Sequence, residues 1–110
     1  MKNILVIGGA GSIGSELCRQ LAKDNKVIAV DIDESGLFDL VGVVPEIGNI
    51  RDKDRMDELF IKYKPDIIFH CGAYKHLSRY EKEHFGEIVD TNITGTKNLI
   101  QLCQKYQIKI

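Results

Sequence analysis

The chain has 110 residues, 44% of them hydrophobic and 28% charged, and its 15 lysines and arginines nearly balance 16 acidic residues. This length suits a single domain, and the composition is ordinary for a globular protein. The lack of a basic excess argues against a nucleic acid partner, and no apolar run approaches the roughly 20 residues of a membrane span. We therefore expect no nucleic-acid surface and no membrane segment in this chain.

Three cysteines, Cys18, Cys71 and Cys103, lie far apart and form no C-x-x-C pair. An odd, dispersed set favours reduced thiols over a disulfide framework or a zinc site. The first residues do not resemble a signal peptide. We expect a cytoplasmic protein without a metal site.

Four short apolar runs, rich in β-branched residues, are typical of buried strands. They cover Asn3–Ile7, Lys26–Val30, Val43–Ile47 and Asp66–Cys71. The crossover between the second and third runs, Ile32–Gly42, is short. It leaves room for one or two helical turns.

Between these runs, apolar side chains recur at helical spacing. The faces predicted to be buried comprise Ile13, Leu17, Leu21 and Ala22 in a helix beginning near Ser12, and Met56, Leu59, Phe60 and Tyr63 in a later one. A longer helix is predicted within Glu83–Tyr106, from the spacing of Phe85, Ile88, Val89, Ile93, Leu99, Ile100 and Cys103.

The alternation of strands and helices predicts an α/β fold, a Rossmann-type doubly wound parallel sheet with strand order 3-2-1-4-(5). Pro45 supports this order, because a proline within a strand is tolerated at a sheet edge and the third strand is an edge. The final residues, Tyr106–Ile110, are typical of a helix end followed by the opening of a fifth strand. We therefore expect an amino-terminal fragment, truncated at strand five.

The first strand leads into the glycine pattern Gly8-x-x-Gly11-x-x-Gly14. The first glycine permits a tight turn, the second lets a phosphate approach the backbone, and the third lets the helix pack against the strand. The helix that follows offers unpaired N–H groups and the positive end of its dipole. The pattern predicts a pyrophosphate at this turn.

Asp31 ends the second strand, 17 residues after Gly14. An acidic residue near this offset accepts hydrogen bonds from the adenosine ribose in dinucleotide-binding folds. Its charge would repel a 2′-phosphate, and Ile32 follows where an arginine could have bound one, so NAD is favoured over NADP. The alternative for Asp31 is a helix cap or turn residue.

The sequence resembles the extended short-chain dehydrogenase/reductases that act on nucleotide sugars, and within them the 4,6-dehydratase branch of polysaccharide biosynthesis. The resemblance rests on GGAGSIGSELCRQL, on GNIRDKDRMDELFIKYKPDIIFHCGAYKH and on TNITGTKNLI, and it covers nearly the whole chain. Two positions depart from the family pattern. Asn49 stands where an aspartate is usual, and Ile7 where a threonine is usual.

The resemblance implies a set of NAD contacts. It places Ser12 and Ile13 at the pyrophosphate, Asn49 and Ile50 at the adenine, Cys71, Gly72 and Ala73 beside the ribose and phosphates, Lys75 towards the cofactor, and Thr91 near the nicotinamide half. The alternative for Cys71 is a small buried apolar residue, and for Lys75 a solvated loop. His70 is expected to be a packed structural histidine rather than a base.

The resemblance also implies chemistry that these residues do not complete. Family enzymes oxidise the sugar at C4 by hydride transfer to NAD, assisted by a Ser/Thr and a Tyr-x-x-x-Lys pair, with Met often replacing that Tyr in the dehydratase branch. No tyrosine here is followed four residues later by a lysine. We therefore expect no catalytic residue within this chain.

We accordingly expect residues 1–110 to be the NAD-binding domain of a nucleotide-sugar 4,6-dehydratase, whose substrate would be a nucleotide sugar. Two alternatives stay open, a nucleotide-sugar 4-epimerase and a non-enzymatic dinucleotide-binding sensor or scaffold. A chain ending at the start of strand five leaves an edge of strand four open, so we also expect self-association.

Overall fold

A computed structural model describes residues 1–71 and 90–110, with side chains described for 1–71 and 92–110. The strands are Asn3–Ile7 (β1), Lys26–Asp31 (β2), Val44–Ile47 (β3) and Ile67–His70 (β4). The helices are Ser12–Leu21 (α1), Glu34–Phe38 (α2), Lys53–Tyr63 (α3) and Thr96–Tyr106 (α4), and α4 continues a π-helical segment, Asp90–Gly95. The predicted helical positions 83–89 lie outside the described residues.

The four strands form a parallel sheet in the order β3-β2-β1-β4, which confirms the predicted Rossmann-type topology. Ile7 at the end of β1 is in register with Val30 of β2 and with His70 of β4. The carboxyl ends of these three strands therefore meet at one edge of the sheet. In open α/β sheets, ligands bind at this edge, where the strand order reverses.

Both outer strands agree with the sequence. Pro45 lies opposite Ala29 in β3, which is an edge strand. An edge strand tolerates proline because it has a side that needs no N–H donor for a neighbouring strand. On the other side, Gln107 ends α4 in a left-handed conformation, and the carbonyl of Lys109 accepts a hydrogen bond from the Ile68 N–H at 2.8 Å. This bridge confirms the predicted opening of a fifth strand, whereas self-association through β4 stays a prediction.

Side chains alternate between two cores, one on each face of the sheet. One face buries Leu5, Ile7, Ile28, Val30 and Ile68 against residues of α3 and α4, namely Met56, Leu59, Phe60, Leu99, Leu102 and Cys103. The other buries Ile4, Val6, Val27 and Ala29 against Cys18 of α1 and Leu37 of α2. A helix layer on each face makes the sheet doubly wound.

Three isoleucines predicted to be buried are exposed instead. Ile13 is 66% exposed in the first turn of α1, where the helix begins beside the edge of the sheet. Ile93 is 64% exposed because it lies in the π-helical segment, whose wider turns break the 3.6-residue spacing used for the prediction. Ile100 is 43% exposed, and the inward face of α4 holds Asn98 and Leu99 instead.

Glu46 ties edge strand β3 to α3. Its carboxylate accepts hydrogen bonds from Arg55 at 3.2 Å, from Lys62 at 3.1 Å and from the Tyr63 hydroxyl, and Arg55 also donates to the carbonyl of Ile47 at 3.0 Å. Partial burial raises the pKa of Glu46, but the three hydrogen bonds outweigh it, and the pKa lies below the ordinary value.

Replacing Glu46 with Gln should reduce the free energy of unfolding by about 1 kcal/mol at pH 7. Because the native pKa is depressed, this contribution is complete above the unfolded carboxyl pKa of about 4.3 and is lost as pH falls through the native pKa. Urea unfolding between pH 7 and pH 3 should show the difference from wild type shrinking with acid. Glu58→Gln, which removes a more exposed partner of Arg55, is the control and should have a smaller effect. A difference that does not vary with pH would contradict this account.

Candidate functional site

The glycine turn after β1 is fastened to the end of β2. Gly8 has a φ of 83°, a conformation that favours glycine. The N–H groups of Gly8 and Gly9 both donate to the carbonyl of Val30, at 2.8 and 3.1 Å, and the Gly11 N–H donates back to the Gly8 carbonyl at 3.1 Å. The predicted tight turn is therefore present, and its position relative to β2 is fixed.

Helix α1 starts directly after this turn, and a side chain at its third position would not fit. A Cβ on Gly14 would lie 2.0 Å from the carbonyl oxygen of Gly8 and 2.8 Å from its carbonyl carbon. Both are backbone atoms that cannot swing aside. The contact brings the amino-terminal end of α1 onto the turn, which is the role predicted for the third glycine of the pattern.

The first turn of α1 lacks the kind of side-chain cap that begins α2 and α3. Asp33 caps α2 by accepting from the Gly36 N–H, and Asp52 caps α3 by accepting from the Arg55 N–H. The cap residue of α1 is Gly11, which has no side chain, and its first turn holds no acidic residue. Neither the cap residue nor a first-turn side chain therefore neutralises the positive end of this helix.

Three N–H groups at this end have no acceptor within the helix, those of Ser12, Ile13 and Gly14, because the first helical bond runs from the Ser15 N–H to the Gly11 carbonyl. The side chains of Ser12 and Ile13 are exposed and do not fill the turn. These donors, aligned with the helix dipole, suit an anion the size of a pyrophosphate.

Asp31 is the last residue of β2, and its carboxylate lies against the glycine turn. One oxygen accepts from the Ala10 N–H at 3.0 Å, and the other accepts from the Asp33 N–H at 3.0 Å. A carboxylate has about four acceptor positions, so both oxygens retain capacity for hydroxyl donors. Asp31 therefore acts as a turn residue, which was one of the alternatives considered for it. It is not the cap of α2, because Asp33 has that position.

The loop after β3 lies beside Asp31, because the Gly48 N–H donates to the main-chain carbonyl of Asp31 at 3.1 Å. In this loop the Asn49 side-chain oxygen accepts from the Arg51 N–H at 3.0 Å. Ile50 is only 5% exposed and packs in the core formed with α3 and α4. Adenine contacts by Asn49 and Ile50 stay predictions, and for Ile50 only an edge of the side chain is accessible.

The end of β4 completes this edge of the sheet. The Cys71 N–H donates to the carbonyl of Ile7 at 2.8 Å, which holds Cys71 beside the glycine turn. Burial raises the pKa of nearby Cys18 to about 11, so its thiol is protonated and acts as a packing group. Gly72, Ala73 and Lys75 lie outside the described residues, as does the side chain of Thr91.

His70 contacts the first residue of α4. Its Nε2 lies 3.0 Å from the Thr96 hydroxyl, which donates to the carbonyl of Asn92 at 2.8 Å. Burial lowers the pKa of His70, so the ring is neutral near pH 7. These contacts support the interpretation of a packed structural histidine.

Two contributors to this edge were not predicted from the sequence. The Ala10 N–H binds Asp31, a backbone role that leaves no signal in residue type. Asn98 is 8% exposed and bonds to the loop after β3. Its signal was an amide on the apolar stripe of α4, beside Leu99 and four residues before Leu102. Among the described residues, no cluster of acidic, cysteine and histidine side chains could hold a metal ion, and no helix is long and apolar enough to cross a membrane.

Residues 4–110 match a protein family described as "Polysaccharide biosynthesis protein". The chain belongs to this family. Its relatives include an uncharacterized membrane protein of Methanocaldococcus jannaschii, 40% identical over 98% of this chain and 34% of that protein. A dTDP-D-glucose 4,6-dehydratase of Dictyostelium discoideum is 35% identical, over 99% of this chain and 27% of that protein. A UDP-glucose 4-epimerase of Rhizobium meliloti is 40% identical, over 89% of this chain and 30% of that protein. The chain thus spans 27 to 34% of the length of these family relatives.

A solved structure shares both the fold and about a third of the aligned sequence. The UDP-glucose 4-epimerase of Stenotrophomonas maltophila, crystallised with bound NAD and formylated UDP-arabinopyranose, superposes with a TM-score of 0.82 at 30% identity. The match covers 98% of this chain and 35% of that one. The family match and this similarity confirm the resemblance to the nucleotide-sugar short-chain dehydrogenase/reductases.

Replacing Gly14 with Ala should destabilise the fold by about 1 to 3 kcal/mol, because the new Cβ would overlap the Gly8 carbonyl and push α1 away from the turn. Dinucleotide affinity, measured by titration calorimetry, should fall with it. Ile61→Ala is the control, since it trims an exposed side chain on α3, the helix layer on the opposite face of the sheet from α1. It should leave melting temperature and affinity close to wild type. Unchanged affinity in the Gly14 variant would contradict the placement of the phosphates.

Proposed function

We propose that residues 1–110 form the NAD-binding part of a nucleotide-sugar 4,6-dehydratase that acts in polysaccharide biosynthesis. One observation carries this proposal. The carboxylate of Asp31 is hydrogen-bonded to Ala10 within the glycine turn, beside the uncapped first turn of α1. Acceptors for ribose hydroxyls and donors for a pyrophosphate therefore share one edge of the sheet.

The donor set fits an adenine dinucleotide residue by residue. The N–H groups of Ser12, Ile13 and Gly14 would bind the pyrophosphate, and the glycine turn leaves its backbone open to a close approach. Asp31 would accept from the adenosine ribose hydroxyls, and Asn49 would face the adenine. When bound, NAD supplies the acceptor for a hydride from the sugar. The chain's own part is to hold the adenosine and phosphate portions in place.

The charge at the ribose position favours NAD over NADP. A 2′-phosphate would lie against the carboxylate of Asp31, and the next residue, Ile32, is exposed and carries no charge to offset the repulsion. The phosphate would also have to displace the ribose hydroxyl from its acceptor. Both effects oppose NADP.

The sugar chemistry belongs to the longer protein. The general acid or base of hydride transfer must come within hydrogen-bond reach of the sugar hydroxyl, and we assign no catalytic role to a residue of this chain. Lys75 and Thr91 stay predicted contacts to the cofactor. The three free thiols of Cys18, Cys71 and Cys103 suit a reducing compartment, and we place the protein in the cytoplasm.

A 4-epimerase is the second candidate, and the 40% identity to the Rhizobium meliloti UDP-glucose 4-epimerase favours it. Both reactions begin with oxidation at C4, so the cofactor half alone is compatible with either. A non-enzymatic sensor or scaffold would use the same dinucleotide site without sugar chemistry.

Mass spectrometry of a nucleotide sugar incubated with the complete gene product and NAD separates the three. A dehydratase should yield a 4-keto-6-deoxy sugar lighter by one water, because it eliminates water across C5 and C6. An epimerase should leave the mass unchanged and produce the C4 epimer, which chromatography resolves. An unaltered sugar in the presence of bound NAD would favour the sensor or scaffold.

Replacing Asp31 with Asn should weaken NAD binding about tenfold, because hydrogen bonds to a charged acceptor are stronger than those to a neutral one. NADP binding should weaken less or improve, since the repulsion is removed, and the preference for NAD should narrow. Titration calorimetry with both dinucleotides measures this ratio.

Asp24→Asn is the matched control for the charge, because Asp24 lies in the turn before β2, at the other end of that strand. It should leave the ratio of the two affinities unchanged. Equal affinity of the wild-type chain for NAD and NADP would overturn the assignment of Asp31.

A further inference from the structure

Among the residues whose side chains the structure describes, Asn98 is the only polar or charged one that is buried, with 8% of its surface exposed. It lies on the inward side of α4, and its Nδ2 donates to the carbonyls of Ile50 at 2.9 Å and Arg51 at 3.2 Å. Both acceptors belong to the loop after β3. The buried amide therefore binds a loop 47 and 48 positions earlier in the chain rather than its own helix.

Helix α4 also holds this loop by shape, three residues before Asn98. A Cβ on Gly95 would lie 2.3 Å from Cγ1 and 2.4 Å from Cδ1 of Ile50. The side chain of Ile50 thus packs directly onto the backbone of Gly95. One amide and one glycine fix the same residue of the loop from its inner side.

The start of the loop lies beside Asp31. The Gly48 N–H binds the carbonyl of Asp31, and the Asn49 side chain accepts from the Arg51 N–H. Arg51 is thus bonded through its N–H to Asn49 and through its carbonyl to Asn98. Asn49 is therefore linked through Arg51 to a carbonyl that Asn98 holds, and its own carbonyl accepts from the Asp52 N–H at 2.9 Å.

Asn98 suits this task because of its hydrogen-bonding groups. A side-chain NH₂ carries two donors and can satisfy two neighbouring carbonyls at once, whereas a leucine of similar size carries none. The bond to the Ile50 carbonyl is buried, and a buried carbonyl without a donor is costly, so the loop would shift to find water if the amide were removed. The shift would move Asn49 relative to Asp31.

We propose that Asn98 is a positioning residue for recognition of the adenine ring. It does not touch the cofactor but holds the loop so that the Asn49 side chain can accept from the exocyclic amine of adenine. This inference rests on the proposed NAD site. It adds a determinant of base specificity on α4, outside the glycine turn, Asp31 and the loop itself.

The test compares NAD with its analogue in which unsubstituted purine replaces adenine, so that a hydrogen atom stands in place of the exocyclic amine and Asn49 has no partner there. Titration calorimetry on the wild-type chain should show tighter binding of NAD, by up to about tenfold for one hydrogen bond. In Asn98→Leu the ratio of the two affinities should fall to near one. A merely structural role would weaken both dinucleotides alike and leave the ratio unchanged.

Leu102→Ala is the matched control, because it damages the same helix and core one turn away without removing a bond to the loop. It should lower the melting temperature and keep the wild-type ratio. Asn49→Ala alone should bring the ratio of the two affinities to near one. Adding Asn98→Leu to this variant should not change the ratio further. If Asn98→Leu does not fold, Asn98→Ser retains one donor and should give an intermediate ratio.

The outcomes separate this inference from the proposed function. A wild-type chain that binds neither dinucleotide would contradict the proposed function itself. Wild-type binding of NAD with no preference over the purine analogue, or an Asn98 variant that keeps the wild-type preference, would overturn the role of Asn98 and leave the NAD site standing.

Discussion

The close contact between Gly14 and the carbonyl of Gly8 determines the geometry of the whole edge. Since no side chain separates them, α1 begins directly on the turn that leaves β1. The same turn is bonded to Val30 at the end of β2, which places Asp31 beside it. A helix end, a turn and a carboxylate are thereby set by backbone contacts, which are stiffer than contacts between flexible side chains.

The distribution of caps gives this edge its electrostatic character. Asp33 and Asp52 neutralise the starts of α2 and α3, whereas α1 begins on glycine with no acidic residue in its first turn. Compared with a side-chain cap, a glycine cap forgoes only about a few tenths of a kcal/mol of helix stability. A bound anion can restore that interaction, so the uncapped end favours ligand binding over stability of the empty site.

Much of this arrangement could be predicted from the sequence because it depends on local patterns. β-Branched runs gave the strands to within about two residues, Pro45 indicated the edge, and the glycine spacing with Asp31 indicated the ligand-binding edge. The errors have physical causes. Ile93 lies where π-helical geometry changes the spacing, and the packing of Asn98 on a loop distant in sequence is decided by tertiary contacts that no local period encodes.

The alternation of side chains along β1 has a consequence for how this domain comes apart. Ile4 and Val6 serve one core while Leu5 and Ile7 serve the other, so a single five-residue strand belongs to both. Removing either helix layer exposes two or more β1 side chains to water, while the alternate β1 side chains remain packed against the other layer. The two layers are therefore expected to melt together as one cooperative unit, and a ligand bound at the end of that strand stabilises both at once.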